Sequence, residues 1–443
     1  MRATAFTLVL LCEVAGAGEE KGSVEERLER LERQLAEEKA RAERSEGRIR
    51  ELEEALRKAT DALARSHDRR QLEEEIEAYL REREPAERGL SPLSRLHIGA
   101  VIVASYRATE FAGPSPRTNT FQVEERYLRF VYRFSDHVTA RYYTDGSLAE
   151  LEVRHSDPLQ LNVGVIVVPF GQFNARSFPD TFDTLSRPLL YLGDEDTFTS
   201  PPNHPRPVFR SLYSDTGVAL SGNLWRGENQ LSYAAYVTNG LVGVGVPGQD
   251  ASFSDNNQNK QLGARVSYTA SGWLREGRVG VGFSALTGKF DSGDALSYRM
   301  YGADFLIAKE RLFRRGEGSL VLRGEYVFSP REIAAGTLGD PSTLINDASR
   351  VQGAYLLLEA RLDRSWMVYT GADWLSQRAP LLTGGLIDPA DQDPVTSRIL
   401  RGTAGVVYRF SLGIVWKLEY AFWDFDRGAP DAHRLSTQLV IPF

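Results

Sequence analysis

The sequence predicts an all-β transmembrane barrel of about sixteen antiparallel strands, preceded by an N-terminal α-helical coiled-coil stalk. Three observations carry that expectation. Near Leu93 the texture changes from Glu, Arg, Leu and Ala repeats to Gly- and aromatic-rich alternation. The alternating segments are joined by short turns and longer loops in strict succession. The final alternating segment ends the chain on Phe443.

Composition sets the bounds. The chain has 443 residues, a net charge of −7, 42% hydrophobic and 26% charged residues. That mildly acidic balance argues against a broad nucleic-acid surface. One Cys excludes a disulfide framework and a Cys-based zinc site. Beyond the N-terminus no apolar run reaches the roughly 18 residues of a transmembrane helix. A membrane barrel escapes that test, because its strands alternate apolar and polar residues.

Arg2, the apolar stretch Ala3 to Leu11 and the Ala15-Gly16-Ala17 site predict a signal peptide over 1–17. Leu11 is too bulky for lipoprotein cleavage before Cys12. Residues 18–88 then predict a periplasmic coiled coil. The a positions are Leu28, Leu35, Ala42, Ile49, Leu56 and Leu63; the d positions are Val24, Leu31, Glu38, Ser45, Leu52 and Ala59. Glu38 and Ser45 weaken its middle. A single solvated helix held by Glu/Arg pairs is the alternative. At 1.5 Å per residue the regular part makes a rod of roughly 65 Å. Pro85, Gly89 and Pro92 end it.

The barrel domain is expected over 89–443. Its strands begin near Leu96, Phe121, Val138, Ser147, Leu159, Tyr213, Asn229, Lys260, Gly277, Tyr298, Glu317, Val351, Trp366, Arg398, Leu412 and Arg434. Short connections, such as Ser135 to His137 and Asp363 to Ser365, alternate with long ones after Arg107, Phe170, Asn239, Ser329 and Gln377. The longest, over about 171–212, is the expected constriction loop.

The strands carry two chemically different faces. Leu320, Leu322, Tyr326 and Phe328 oppose Val321, Arg323 and Glu325; Trp416, Leu418, Tyr420 and Phe422 oppose Val415, Lys417, Glu419 and Ala421; Leu151 and Val153 oppose Glu150, Glu152 and Arg154. Packing so many charges into a dry core is prohibitive without pairing at every site. A watery interior and an apolar exterior toward lipid remove that cost. Trp225, Trp273, Trp366, Trp374, Trp416 and Trp423 then fall at expected interfacial-girdle positions.

The terminal run Leu435, Thr437, Leu439, Ile441, Phe443 is similar to the signal read by the barrel-assembly machinery of outer membranes. The run Leu161-Asn-Val-Gly-Val-Ile-Val-Val-Pro-Phe-Gly171, with Asp215-Thr-Gly-Val-Ala-Leu-Ser-Gly222 and Tyr233-Ala-Ala-Tyr-Val-Thr-Asn-Gly240, resembles the phosphate-selective porins of the O and P type. The resemblance covers about residues 95 to 443. It implies an outer-membrane channel for passive diffusion of small hydrophilic solutes or ions, with anions such as phosphate among them. It also implies a homotrimer joined through barrel and coiled coil, and a third outward loop that folds inward to narrow the pore. A tether between outer membrane and peptidoglycan, anchored by a plugged barrel, is the second expectation.

The expected pore-lining and constriction residues are Arg129, Arg133, Arg141 and Arg154 on the wall, and Arg176, Asp180, Asp183 and Arg187 in the loop. A basic wall against an acidic loop would set up a transverse field. The competing reading is that the wall arginines pair with Glu150 and Glu152 on neighbouring strands. Basic and acidic residues nearly balance in the barrel region, and no lysine cluster marks the loop near Asp291 to Ser297. No catalytic set, cofactor or metal site is expected. The six His residues are scattered and form no H-E-x-x-H. The Gly243 to Gly248 run fits a dinucleotide fingerprint but lacks its strand-then-helix context, so it predicts a flexible loop.

Overall fold

A computed structural model describes residues 95–443, apart from 113–116, 177, 179–181, 192–207, 210–211, 245, 252–256, 274–276, 312–317, 336–344, 380–381, 384–385, 388–394, 411–412 and 427–430. The expected signal peptide (1–17), the expected coiled coil (18–88) and Asp180 lie outside the described residues.

Sixteen strands form a closed antiparallel barrel. They are β1 (Leu96–Phe111), β2 (Thr118–Ser135), β3 (Val138–Tyr143), β4 (Ala149–Ser156), β5 (Leu159–Val167), β6 (Ser214–Arg226) and β7 (Asn229–Thr238). A separate hairpin, β8 (Leu241–Val244) and β9 (Val246–Ala251), follows. The wall resumes with β10 (Gln261–Trp273), β11 (Gly277–Lys289), β12 (Ser297–Glu310), β13 (Ser319–Ala335), β14 (Ile345–Arg361) and β15 (Trp366–Ala379). A second small hairpin, β16 (Leu382–Thr383) and β17 (Leu386–Ile387), precedes β18 (Val395–Arg409), β19 (Val415–Phe425) and β20 (Ala432–Pro442).

Closure is made where β1 pairs with β20, from Val101↔Pro442 to Phe111↔Ala432. Phe443 completes the seam: its N–H donates to Ala100 O at 2.9 Å, and its carbonyl accepts from Ala100 N at 3.3 Å. A closed ladder leaves no edge with unpaired backbone groups, the condition for a sheet in lipid.

The turns sort onto two rims. Asp136-His137, Asp157-Pro158, Gly227-Glu228 and Leu362–Ser365 lie on the rim where β1 begins and β20 ends. The insertion between β5 and β6 lies on the other. Two connections are shorter than expected, because β1 runs on to Phe111 and β13 to Ala335. The backbone ladder there outlasts the apolar pattern, since neighbour pairing and not side-chain polarity sets where it stops. The Gly243 to Gly248 run is paired within the β8–β9 hairpin instead of forming a structureless loop.

Alternation divides the wall as expected. One face exposes Ile102, Leu128, Leu151, Leu220, Val266, Phe283, Tyr326, Leu356, Leu400 and Tyr420, an apolar belt around the ring. The other buries Glu325, Asp373, Arg401, Lys417 and Glu419. Trp423 departs from the girdle expectation. It lies on the charged face, 2% exposed, with the guanidinium groups of Arg401 and Arg434 at 5.0 and 5.7 Å from its ring. Its place in the two-residue alternation, with Lys417 and Glu419, decides that.

The β14–β15 turn shows how one side chain sets a reversal. The Asp363 carboxylate accepts from Ser365 N at 2.7 Å and from Trp366 N at 2.8 Å. These two N–H groups hold the Asp363 pKa below its ordinary 3.8. A group with a depressed folded-state pKa contributes stability above its unfolded value, and loses it as pH falls through the folded one. Asp363→Ala is therefore expected to lower the thermal midpoint of the detergent-solubilised barrel at pH 7. Circular dichroism melts should show the gap between variant and parent closing as pH drops below 3.8.

Candidate functional site

The segment between β5 and β6 forms the site. After Val167 the chain turns at Gly171, whose φ is +65°. A Cβ there would collide with the Glu325 carboxylate and the Tyr191 hydroxyl, so glycine is required twice over. Asn174 staples the two stems: its Nδ2 donates to Val168 O and Tyr213 O, and its Oδ1 accepts from Tyr213 N, all at 2.8 Å. The segment carries its own aromatic core. Phe209 packs against Phe170, Tyr191 and Tyr213 at centroid distances of 5.3, 5.4 and 4.6 Å, and Phe173 lies 5.2 Å from Tyr191.

The wall holds this segment through its charged face. Glu325 on β13 accepts from Gln172 N (3.1 Å), Phe173 N (3.2 Å) and the Tyr191 hydroxyl (2.5 Å). Lys417 on β19 donates to Phe182 O and Thr184 O, each at 3.0 Å. Glu419 accepts from Ser186 N at 3.2 Å and from the Ser186 hydroxyl. Asp373 on β15 accepts from Leu189 N at 3.1 Å, and Arg401 on β18 donates to Arg187 O at 2.6 Å. Arg187 in turn pairs with Glu125 on β2 at 2.6 Å. One segment can touch β2, β13, β15, β18 and β19 together only from inside the ring. The charged face is therefore the inner one.

Burial and the adjacent Glu325 charge push the Tyr191 phenol well above its ordinary value. It remains a hydrogen-bond donor at every physiological pH.

The inner face of β2 to β4 is covered less. Arg129, Arg133, Arg141 and Arg154 all point inward, as the register Gly99↔Arg129, Arg133↔Thr139, Arg141↔Glu150 and Arg154↔Gln160 requires. The Arg141 and Arg154 side chains remain 30% and 53% exposed. Arg141 bridges Glu150 at 2.7 Å and Glu152 at 2.6 Å, and Arg154 approaches Glu152 at 3.4 Å. Cross-strand pairing thus holds for these two. Arg129 donates to the Tyr127 hydroxyl at 3.0 Å and lies 5.3 Å from the rings of Tyr127 and Tyr143. Phe178 of the inserted segment reaches that cluster, 5.2 Å from Tyr143.

The expected loop residues part company. Asp183 is held by Arg409, with Arg361 at 3.8 Å, and so faces basic wall on the side away from β2 to β4. Arg176 and Asp183 line a cavity of 490 Å³ with Arg278, Glu310, Arg323, Glu359 and Arg361, near the short-turn rim. The wall groups that anchor the loop escape sequence reasoning as anchors. Alternation places Glu325, Lys417 and Glu419 inside, but the partner of Lys417 lies 235 residues away and no local motif marks it. Among the described residues no His, Cys, Asp and Glu group is arranged to hold a metal.

No protein-family description and no curated protein matches the sequence. Among solved structures the chain is similar to the anion-selective porin from Comamonas acidovorans, at 9% identity and TM-score 0.47 over 79% of this chain and 99% of that one. It is similar to the outer membrane channel DcaP of Acinetobacter baumannii, at 9% identity and TM-score 0.45 over 79% and 97%. It is also similar to Salmonella typhi OmpF in complex with daunomycin, at 13% identity and TM-score 0.47 over 78% and 97%.

Replacing Glu325 by Ala orphans three donors, Gln172 N, Phe173 N and the Tyr191 hydroxyl. Each buried orphan costs about 1–3 kcal/mol. The variant should expose the 171–191 segment to limited proteolysis from which the parent is protected. Equal cleavage rates would show that the wall does not hold the loop.

Proposed function

We propose that this chain is an outer-membrane channel for passive diffusion of small hydrophilic solutes and ions. The observation that carries the reading is the uneven lining of the ring. The inserted segment is held against the inner face of β13, β15, β18 and β19, while the inward Arg141 of β3 and Arg154 of β4 stay 30% and 53% exposed. An inward side chain of a closed barrel stays exposed only where water fills the interior, and sixteen strands make a ring wide enough for that. The outward apolar belt supplies the complementary face for acyl chains.

Charge selectivity is proposed to be weak. On the wall from β2 to β4, Arg129, Arg133, Arg141 and Arg154 stand among Glu124, Glu125, Glu150 and Glu152, and Arg141 is doubly paired. Phosphate remains an anion to test, on the resemblance of the β5 to β7 region to phosphate-selective porins. A highly selective anion path would need donors not already committed to carboxylates.

The wall is low at β3 and β4, with 6 and 8 residues. A tilted strand needs about 9–11 to cross a bilayer. A neighbouring copy over this sector would hide it from lipid, which supports the trimer. The expected coiled coil would add a second contact among copies and a reach toward peptidoglycan. Phe443, paired at the seam, is proposed to be read by the barrel-assembly machinery. The tether reading draws its support from how deeply the inserted segment fills the ring. Single-channel recording separates the two, because a folded barrel that stays silent favours the tether.

Glu150→Gln with Glu152→Gln releases Arg141 and Arg154 from their carboxylates. Reversal potentials in planar bilayers should then move toward anion preference. A two- to fivefold rise in the anion-to-cation permeability ratio corresponds to a shift of roughly 0.5–1 kcal/mol. An unchanged ratio would remove these residues from the permeation path.

A further inference from the structure

The inner wall buries its arginines against carboxylates. Arg107 holds Glu124, Arg323 holds Glu359 and Arg401 holds Asp373. Arg331 on β13 departs from that pattern. Two-residue alternation sets it on the same inner face as Arg323 and Glu325, near the long-loop end of the strand. It is 6% exposed and makes no ion pair among the described residues. Its Nε donates to the Ser329 hydroxyl at 2.9 Å, while its Nη2 is buried with no hydrogen-bond partner. Ser329 is fully buried as well. Its oxygen accepts from Arg331, so its own O–H proton points elsewhere, and it meets no acceptor among the described residues.

The neighbouring strands do not relieve this charge. Arg331 faces Tyr298 on β12 and Ser349 on β14. The Tyr298 hydroxyl donates to Gln261 Oε1 at 2.8 Å and accepts from Leu241 N at 3.0 Å, and the Ser349 hydroxyl donates to Arg378 O at 3.2 Å. Met300, Val327 and Val351, close by on the same face, are apolar and fully buried. The register sets one acid in this patch, Asp347, opposite Ile333 and one diagonal step from Arg331 toward the rim. It is the rival counter-ion. Burying a guanidinium away from water without a matching negative charge is strongly unfavourable.

We infer that Arg331 and Ser329 form a binding site for a small inorganic monoanion, a halide, on the inner wall. Two adjacent buried groups offer donors, the Arg331 Nη2 and the Ser329 hydroxyl, and lack acceptors. A water molecule would satisfy the hydrogen bonds and leave the positive charge; a halide satisfies both. Enclosure by buried side chains selects a compact ion, and the single guanidinium selects a single charge, which disfavours phosphate. With the halide in place Arg331 adds no net charge to the lumen, in keeping with the weak selectivity proposed above. The inference rests on the barrel fold alone and does not require that the ring conduct.

The test melts the full chain, purified in an uncharged detergent, at equal ionic strength in sodium chloride, sodium bromide and sodium gluconate. The parent should melt several degrees higher in either halide than in gluconate. Arg331→Gln should lose that difference, and Arg331→Lys should keep part of it. Ser329→Ala should weaken halide affinity about tenfold, the worth of one hydrogen bond to a charged group. Crystals of the parent soaked in sodium bromide should show an anomalous peak within hydrogen-bonding reach of Arg331 Nη2 and Ser329 Oγ, a readout that stands even if Arg331→Gln does not fold. A parent that melts alike in all three salts and shows no bromide at Arg331 overturns the site, as does an equal halide effect in parent and folded Arg331→Gln. A halide effect that appears only in Asp347→Asn identifies that carboxylate as the counter-ion and overturns the site too.

Discussion

Burying irregular backbone inside a ring of strands is the constraint on which the rest of this molecule depends. The described part of the segment between β5 and β6 brings N–H and C=O groups into the interior, and several of them find their partners on the wall. An unpaired buried backbone group costs as much as a lost hydrogen bond. The wall meets this demand with charged side chains on its inner face. Glu325, Asp373 and Glu419 accept from loop N–H groups, while Lys417 and Arg401 donate to loop carbonyls. The dependence runs both ways. Covered by the loop and cut off from water, those five side chains would be costly if the loop did not also supply hydrogen-bond partners.

Asymmetry follows from where those anchors sit. They occupy β13, β15, β18 and β19, so the loop lies toward that arc. The opposite arc, β2 to β4, keeps partly exposed inner side chains, and its β3 and β4 are the shortest strands of the wall. Open interior and short strands therefore coincide in one sector. On the anchoring arc β13 and β14 run to 17 residues each, and Glu325 of β13 braces the loop from within.

The strand count and the two faces were legible in the sequence, and for one reason. Period-two alternation is local, so Leu322 against Arg323, or Leu418 against Glu419, can be assigned without knowing any partner. The inward aim of Arg129, Arg133, Arg141 and Arg154 is legible on the same basis. Pairing of Arg141 with Glu150 and Glu152 was half legible, since a short turn separates β3 from β4 and limits the register. The loop's anchorage was not legible. Its partners sit on strands far along the chain, and only ring closure brings β19 opposite residues 182 to 186. Trp423 shows the same limit. Its indole lies at a strand end, where an interfacial role is natural, yet parity puts it inside beside Arg401 and Arg434.

Parity also bears on what the interior does to an ion. A basic wall facing an acidic loop would have aligned a field across the opening. The described charges are arranged otherwise. Asp183 turns to Arg409 and Arg361, Arg187 crosses to Glu125, and Arg141 sits between two glutamates. Each pair keeps its dipole local, and the field of a closed pair decays faster than that of a lone charge. On the proposed channel reading, such a surface would hold water without strongly preferring either sign. Hydrophilicity and the proposed weak selectivity would then have one cause, the satisfaction of inner-face charges by one another.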